Sequence, residues 1–217
     1  EWDRIIIKPI KSPPARVAAL LAGDVDFIDN VPTIDIERLK GDSKVNVMSS
    51  VSNRVIYLHM DHFRQNSPFV KAHGGGIIKN PLLDQRVRKA ISLGINRDAI
   101  VDRVMEGIAI KAGQLLPKGF FGVSSNLKPL DYDPNGAKAL LKAAGVPDGF
   151  ELTIHGPNDR YINDAKIAEA IAQMLTRIGI KTSVETMPKS VCFKRASRGG
   201  PNKTPEFSFV LVGWGAG

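Results

Sequence analysis

Residues 151–187 read ELTIHGPNDR YINDAKIAEA IAQMLTRIGI KTSVETM, and their pattern decides the fold. Glu151 to His155 predicts a strand, and Gly156 to Asn163 a loop. Ile167, Ile171, Met174, Leu175 and Ile178 then recur at the spacing of one helical face. Gly179 ends that helix, and Ile180 to Met187 predicts a second strand. Strand, helix and strand in this order form a βαβ unit, whose crossover is expected to be right-handed and to lay the two strands side by side in parallel.

The flanking sequence continues the same alternation. Downstream, a short helix is predicted around Ser190 to Ser197 and a last strand over Phe207 to Val212. Upstream, Asp133 and Pro134 supply a cap and first turn for a helix presenting Ala137, Leu140, Leu141 and Ala144, closed by Gly145. Asp84 is placed to cap a helix carrying Val87, Ala90, Ile91 and Gly94, and Asn96 one carrying Ile100, Val101, Val104 and Met105 before Gly107. Ser12 and Pro13 open a helix with Val17, Leu20 and Leu21 on one face and Gly23 at its end. Pro32 and Thr33 read as a turn into a further helix through Leu39, with strands over Asp24 to Ile28, Val45 to Val51 and Arg54 to Met60. Asn66 to Pro81, with its three consecutive glycines, and Ala112 to Pro129 read as loops. No internal repeat is visible.

Composition narrows the functional classes. With 43% apolar and 24% charged residues, the 217-residue chain is ordinary for a protein that buries a core. No stretch approaches the roughly 20 apolar residues of a membrane span. Glu1 is not a methionine and nothing near it has a signal-peptide layout, so the natural start is expected to be missing or processed away. The net charge of +8 comes from lysines and arginines spread along the chain without a block, which argues against a nucleic-acid partner. The lone Cys192 supports neither a disulfide framework nor a zinc site, and reads as a small buried residue.

Several segments stand out together: Arg16-Val-Ala-Ala-Leu-Leu-Ala-Gly-Asp-Val-Asp26, Val31-Pro32 with Asp35 and Leu39, and Asn80-Pro81-Leu82-Leu83-Asp84-Gln85-Arg86-Val87-Arg88-Lys89-Ala90 with Ile95-Asn96-Arg97. To these are added Tyr132-Asp133-Pro134 to Leu141, Ala143-Ala144-Gly145, Pro147-Asp148-Gly149-Phe150 and Gly213-Trp214. Each is weak alone, but their order and spacing are specific, and together they resemble the peptide, dipeptide and nickel group of solute-binding proteins, the family 5 binding proteins of ABC transporters. The resemblance implies an α/β, periplasmic binding protein-like fold of two lobes that close on a ligand by a hinge. It implies that residues 1–52 end the first lobe and that residues 53–217 are most of the second, a mixed α/β sheet. It also implies a periplasmic, monomeric protein without cofactor or catalysis that binds a small peptide or peptide-like solute and delivers it to ABC permease subunits.

The loop after the first strand of the βαβ unit is the place to expect a ligand, because crevices in open α/β sheets lie beyond the carboxyl ends of strands. There Gly156 permits close backbone approach, Asn158 offers a donor and an acceptor, and Arg160, followed by Tyr161, offers a planar fork matching a carboxylate. The resemblance assigns Arg160 the peptide carboxylate; the plain alternative is a surface arginine. It likewise places Trp214 at the cleft, against ligand side chains, with core packing as the alternative. Relatives commonly carry an aspartate three positions after that tryptophan to neutralise the peptide amino group, and here the position is Gly217. A sugar, opine, haem or metal complex as the solute, or an α/β hydrolase, are the rival readings. His59, Asp61, His62 and His73 do not read as a metal site, since His59 and His62 would face opposite sides of a strand.

Overall fold

The structure, a computed structural model, describes residues 2–215. The chain divides into two compact units, residues 1–50 and 51–217.

In the first unit, helix α1 spans Pro13–Ala22. Proline occupies its first turn and Gly23 ends it with a left-handed φ of 78°, giving its amide to Leu20. Ser12, expected as a side-chain cap, makes no such bond; its carbonyl instead accepts from the amide of Arg16. The Arg16 guanidinium ties the helix to the carbonyls of Ile10, Lys11 and Asn30. A 3-10 turn over Thr33–Asp35 runs into helix α2, Ile36–Lys40, which buries Leu39. The strands expected at residues 24–28 and 45–51 do not form, because neither segment has a ladder partner among the described residues. A β-favouring sequence without a neighbouring strand has nothing to bond to. Phe27 and Met48 accordingly stand exposed.

The second unit is built on one mixed sheet of β1 (Arg54–Met60), β2 (Val70–Lys71), β3 (Phe150–Pro157), β4 (Ile180–Met187) and β5 (Phe209–Gly215). Strand β3 is central. It pairs in parallel with β4 from Phe150 opposite Ile180 to Pro157 opposite Met187, as the βαβ pattern predicts. On its other side it meets β2, antiparallel, at Val70 opposite Leu152, and β5, parallel, at His155 opposite Val210. Strand β1 closes that side, antiparallel to β5 from Arg54 opposite Gly215 to Met60 opposite Phe209. Within the stretch 66–81, read as a loop, Val70–Lys71 therefore forms a short strand.

Alternation along β3 sends Phe150, Leu152 and Ile154 to one face, where they join one large core. That core is completed by Val87, Ala90 and Ile91 of α3 (Gln85–Gly94), Ala137 and Leu141 of α5 (Pro134–Ala143), and Ile167, Ile171 and Leu175 of α6 (Asp164–Arg177). The short helix α4, Arg97–Arg103, stops two residues before Met105, and Glu106 and Gly107 follow with φ of 50° and 76°. The predicted caps hold: the side chains of Asp84, Asn96 and Asp133 accept from the amides of Arg86, Ala99 and Gly136.

The opposite face is covered at one end by α7, Lys189–Arg198, through a second cluster of Met187, Cys192, Phe207 and Val210. Cys192 is buried as expected, and burial pushes its thiol up to about 11. Here His155 is fully enclosed, its ring stacked 4.1 Å from Phe207 and edge-on to Phe69 at 4.3 Å. Arg195 covers the Phe207 ring and is clamped by Glu185 and Glu206, each at 2.6 Å.

Candidate functional site

The pairing register fixes what meets at one end of the sheet. Strands β3, β4 and β5 run parallel and finish there at Pro157, Met187 and Gly215, and antiparallel β1 starts there at Arg54. The candidate loop leaves β3 at this end, where crevices of open α/β sheets form. Strand β3 runs two residues further than the sequence suggested, because Gly156 and Pro157 pair with Thr186 and Met187. Gly156 is thus buried within the sheet rather than in the loop, where an added Cβ would make an ordinary 3.4 Å contact with Leu211.

The loop itself is short and heavily held. The amide of Asn158 donates to the carbonyl of Met187 at 3.0 Å, and the carboxylate of Asp159 accepts from the amide of Lys189 at the start of α7. Asp164, almost fully buried, accepts from the amides of both Arg160 and Tyr161 at 3.0 Å, and its other oxygen from Ala165. Asn163 takes a left-handed turn into α6, and its side-chain amide donates to the carbonyl of Val104 at 2.7 Å. This anchoring was not read from the sequence. The signal was an aspartate at the first turn of a strongly periodic helix, directly after a residue type that tolerates positive φ.

With its backbone fixed, the loop presents Arg160 outward. The guanidinium lies 5.5 Å from the centroid of the neighbouring Tyr161 ring and forms no ion pair among the described residues. A planar cation resting on an aromatic face and lacking a carboxylate is equipped to take one from a ligand. Asn158 is exposed beside it. Tyr161, by contrast, spends its hydroxyl internally: it accepts from the amide of Gly213 at 2.7 Å and lies 3.3 Å from that residue's carbonyl. Only its ring is available for contacts. Gly213 is required by this arrangement, because a Cβ there would come within 2.7 Å of both the Tyr161 ring and Ile56.

Trp214 follows and is 47% exposed, opposite Val55 in the register. Strand alternation turns its ring away from the face on which Tyr161 sits on Gly213. The structure therefore gathers Arg160, Tyr161 and Gly213 on one side of the sheet end and puts Trp214 on the same rim but the other face. Gly217 lies outside the described residues. Among the described residues no three His, Cys, Asp or Glu side chains gather to hold a metal ion. No helix among them is long and apolar enough to cross a membrane.

Two hollows mark the surface elsewhere. One of about 510 Å³ is lined by Val191, Lys194, Arg195 and Glu206, and one of about 360 Å³ by Phe69, Glu151, Thr153 and Ser183. Neither includes Arg160, Tyr161 or Trp214.

Comparison with known proteins agrees with this architecture. The model of bacterial extracellular solute-binding proteins, family 5 middle region, matches residues 1–217. The dipeptide-binding protein of Escherichia coli is 27% identical over 220 residues, covering 98% of this chain and 36% of the relative. Heme-binding protein A of Haemophilus influenzae is 28% identical over 218 residues, again covering 98% of this chain and 36% of the relative. The chain spans about a third of the length of these curated relatives. The periplasmic binding protein DppA of Helicobacter pylori, solved with the peptide STSA, superposes with a TM-score of 0.71 at 27% identity, over 95% of this chain and 36% of that one. The murein tripeptide binding protein MppA of Escherichia coli shares the fold, with a TM-score of 0.72 at 23% identity over 96% of this chain and 38% of that one.

Proposed function

The chain belongs to the bacterial extracellular solute-binding proteins of family 5, and from that premise we propose that the intact protein captures a carboxylate-bearing peptide or peptide-like solute in an interlobe cleft and hands it to an ABC permease. Residues 53–217 are then most of the second lobe and residues 1–52 the end of the first. Support for the division comes from the break between compact units at residues 50 and 51.

The single observation that carries the ligand class is the Arg160 guanidinium, outward-facing, supported by the Tyr161 ring and without a carboxylate partner among the described residues. In this role Asn158 hydrogen-bonds the ligand backbone, the Tyr161 ring flanks it and Trp214 packs against its side chains from the other face of the rim. Gly156, paired inside β3, lies in the strand beneath the loop that would hold the ligand. A relative named for a dipeptide and a similar structure solved with the peptide STSA favour this solute class. Closure requires that the ligand touch both lobes, since a solute bound equally well by open and closed forms shifts no population.

The relative named for haem favours a second reading, in which the same rim serves a non-peptide solute. Native mass spectrometry of small molecules carried through purification by the intact protein separates the two. Recovery of peptides with a free carboxyl terminus is the expected result. Recovery of haem, a sugar or a metal complex, with no peptide, rejects the peptide assignment.

A further inference from the structure

Between Glu106 and Asp131 the chain runs without a single acidic residue and with three lysines, Lys111, Lys118 and Lys128. The segment contains no helix or strand, yet it is not loose. Gln114 clamps it: its side-chain amide donates to the carbonyls of Ser124 at 2.8 Å and Leu127 at 3.3 Å, and its oxygen accepts from the amide of Ser124 at 2.9 Å. At Gly113 the two arms cross so closely that a Cβ would lie 2.3 Å from the backbone of Lys128. These contacts form a neck at residues 113–114 and 124–128.

The tip beyond the neck, residues 115–123, is shaped by turns in which Phe120 donates to Pro117 and Val123 to Phe120. Gly119 and Gly122 take left-handed φ of 98° and 86° on either side of Phe120 and Phe121. Leu115 and Phe120 are exposed over 49% and 40% of their surface, and Phe121 is completely exposed. Lys111 pairs with Asp98, while Lys118 and Lys128 form no ion pair among the described residues. A hydrogen-bonded neck that presents Phe121 fully and Phe120 partly to water, flanked by lysines without ion pairs among the described residues, has the makings of an interfacial membrane contact. Aromatic rings settle at headgroup depth and neighbouring lysines pair with anionic lipids.

We propose that the tip around Phe120 and Phe121 docks the protein on an anionic lipid surface, with Lys118 and Lys128 meeting the headgroups. Such contact confines a solute-binding protein near the membrane that holds its transporter. It is independent of the ligand assigned to Arg160.

Flotation of the full-length protein with vesicles of phosphatidylcholine containing about 30% phosphatidylglycerol tests this. The wild type should float, and salt or omission of the anionic lipid should release it. Phe121→Ser should lower the bound fraction about tenfold, whereas Phe63→Ser, at another exposed phenylalanine, should not. Circular dichroism of each variant confirms that it remains folded. No flotation, equal flotation on neutral vesicles, or unaltered flotation of Phe121→Ser overturns the proposal. Loss of binding by Phe121→Ser to purified permease in detergent, with no flotation of the wild type, assigns the tip to a protein partner and likewise overturns it.

Discussion

The hydroxyl of Tyr161 brackets the peptide group positions of Gly213, accepting from its amide at 2.7 Å and approaching its carbonyl at 3.3 Å. Fifty-two residues separate the two in sequence. The contact joins the loop that carries Arg160 to the strand that carries Trp214. Tyr161→Phe removes the hydroxyl while keeping the ring, and should cost about 1 kcal/mol in urea unfolding. Gly213→Ala forces a methyl group into the ring and Ile56, and should cost about 1–3 kcal/mol. If both substitutions left stability unchanged, the rim would not be coupled through this contact.

Asp164 holds the Arg160 loop from below by accepting the amides of Arg160 and Tyr161. Asp164→Ala leaves those two donors without their partner and should cost about 2 kcal/mol. Hydrogen exchange should quicken at the amides of residues 160 and 161 more than in β4. Uniform acceleration throughout the second unit would instead mark a general loss of packing.

His155 gives a pH dependence that can be assigned. Burial holds its pKa below the ordinary 6.5, outweighing the nearby carboxylate of Glu185, while Arg195 opposes protonation as well. Nε2 lies 3.3 Å from Glu185 but outside hydrogen-bond geometry, and among the described residues neither ring nitrogen has a hydrogen-bond partner. Because the folded pKa is depressed, the unfolded chain takes the proton first. The stability contributed by neutral His155 is complete above about pH 6.5 and is lost as pH falls from there through the folded pKa. Glu185 and Glu206, held below their ordinary 4.5 chiefly by Arg195, lose their contribution only at lower pH. Denaturant melts of His155→Leu should therefore lack the first decline and keep the second. A first decline identical to wild type would place it on another group.

Much of the second unit was legible because its signals are local. Asp84, Asn96 and Asp133 announce helix starts through side chains that bond amides two or three residues ahead. The βαβ pattern likewise contains its own partners, and β3, α6 and β4 follow from it. Where a partner lies far away the sequence is silent. The apolar runs at 24–28 and 45–51 look like strands, but a strand exists only in a ladder, and none is offered to them among the described residues. Gly156 and Pro157 read as punctuation and are instead paired, because β4 supplies Thr186 and Met187 beside them. In the site, the place of Arg160 in the exposed loop after β3 was legible from the βαβ pattern. The engagement of the Tyr161 hydroxyl by Gly213 and the facing of Trp214 away from it depend on register, which one strand alone does not reveal.

Isothermal titration calorimetry on the intact protein addresses the carboxylate role of Arg160 most directly, using one peptide with a free carboxyl terminus and the same peptide amidated. Arg160→Ala should weaken the free-acid peptide by about tenfold or more, as expected for a hydrogen bond to a charged group, and should leave the already weaker amidated peptide nearly unaffected. Equal affinities of wild type and Arg160→Ala for the free-acid peptide would remove this arginine from the ligand site.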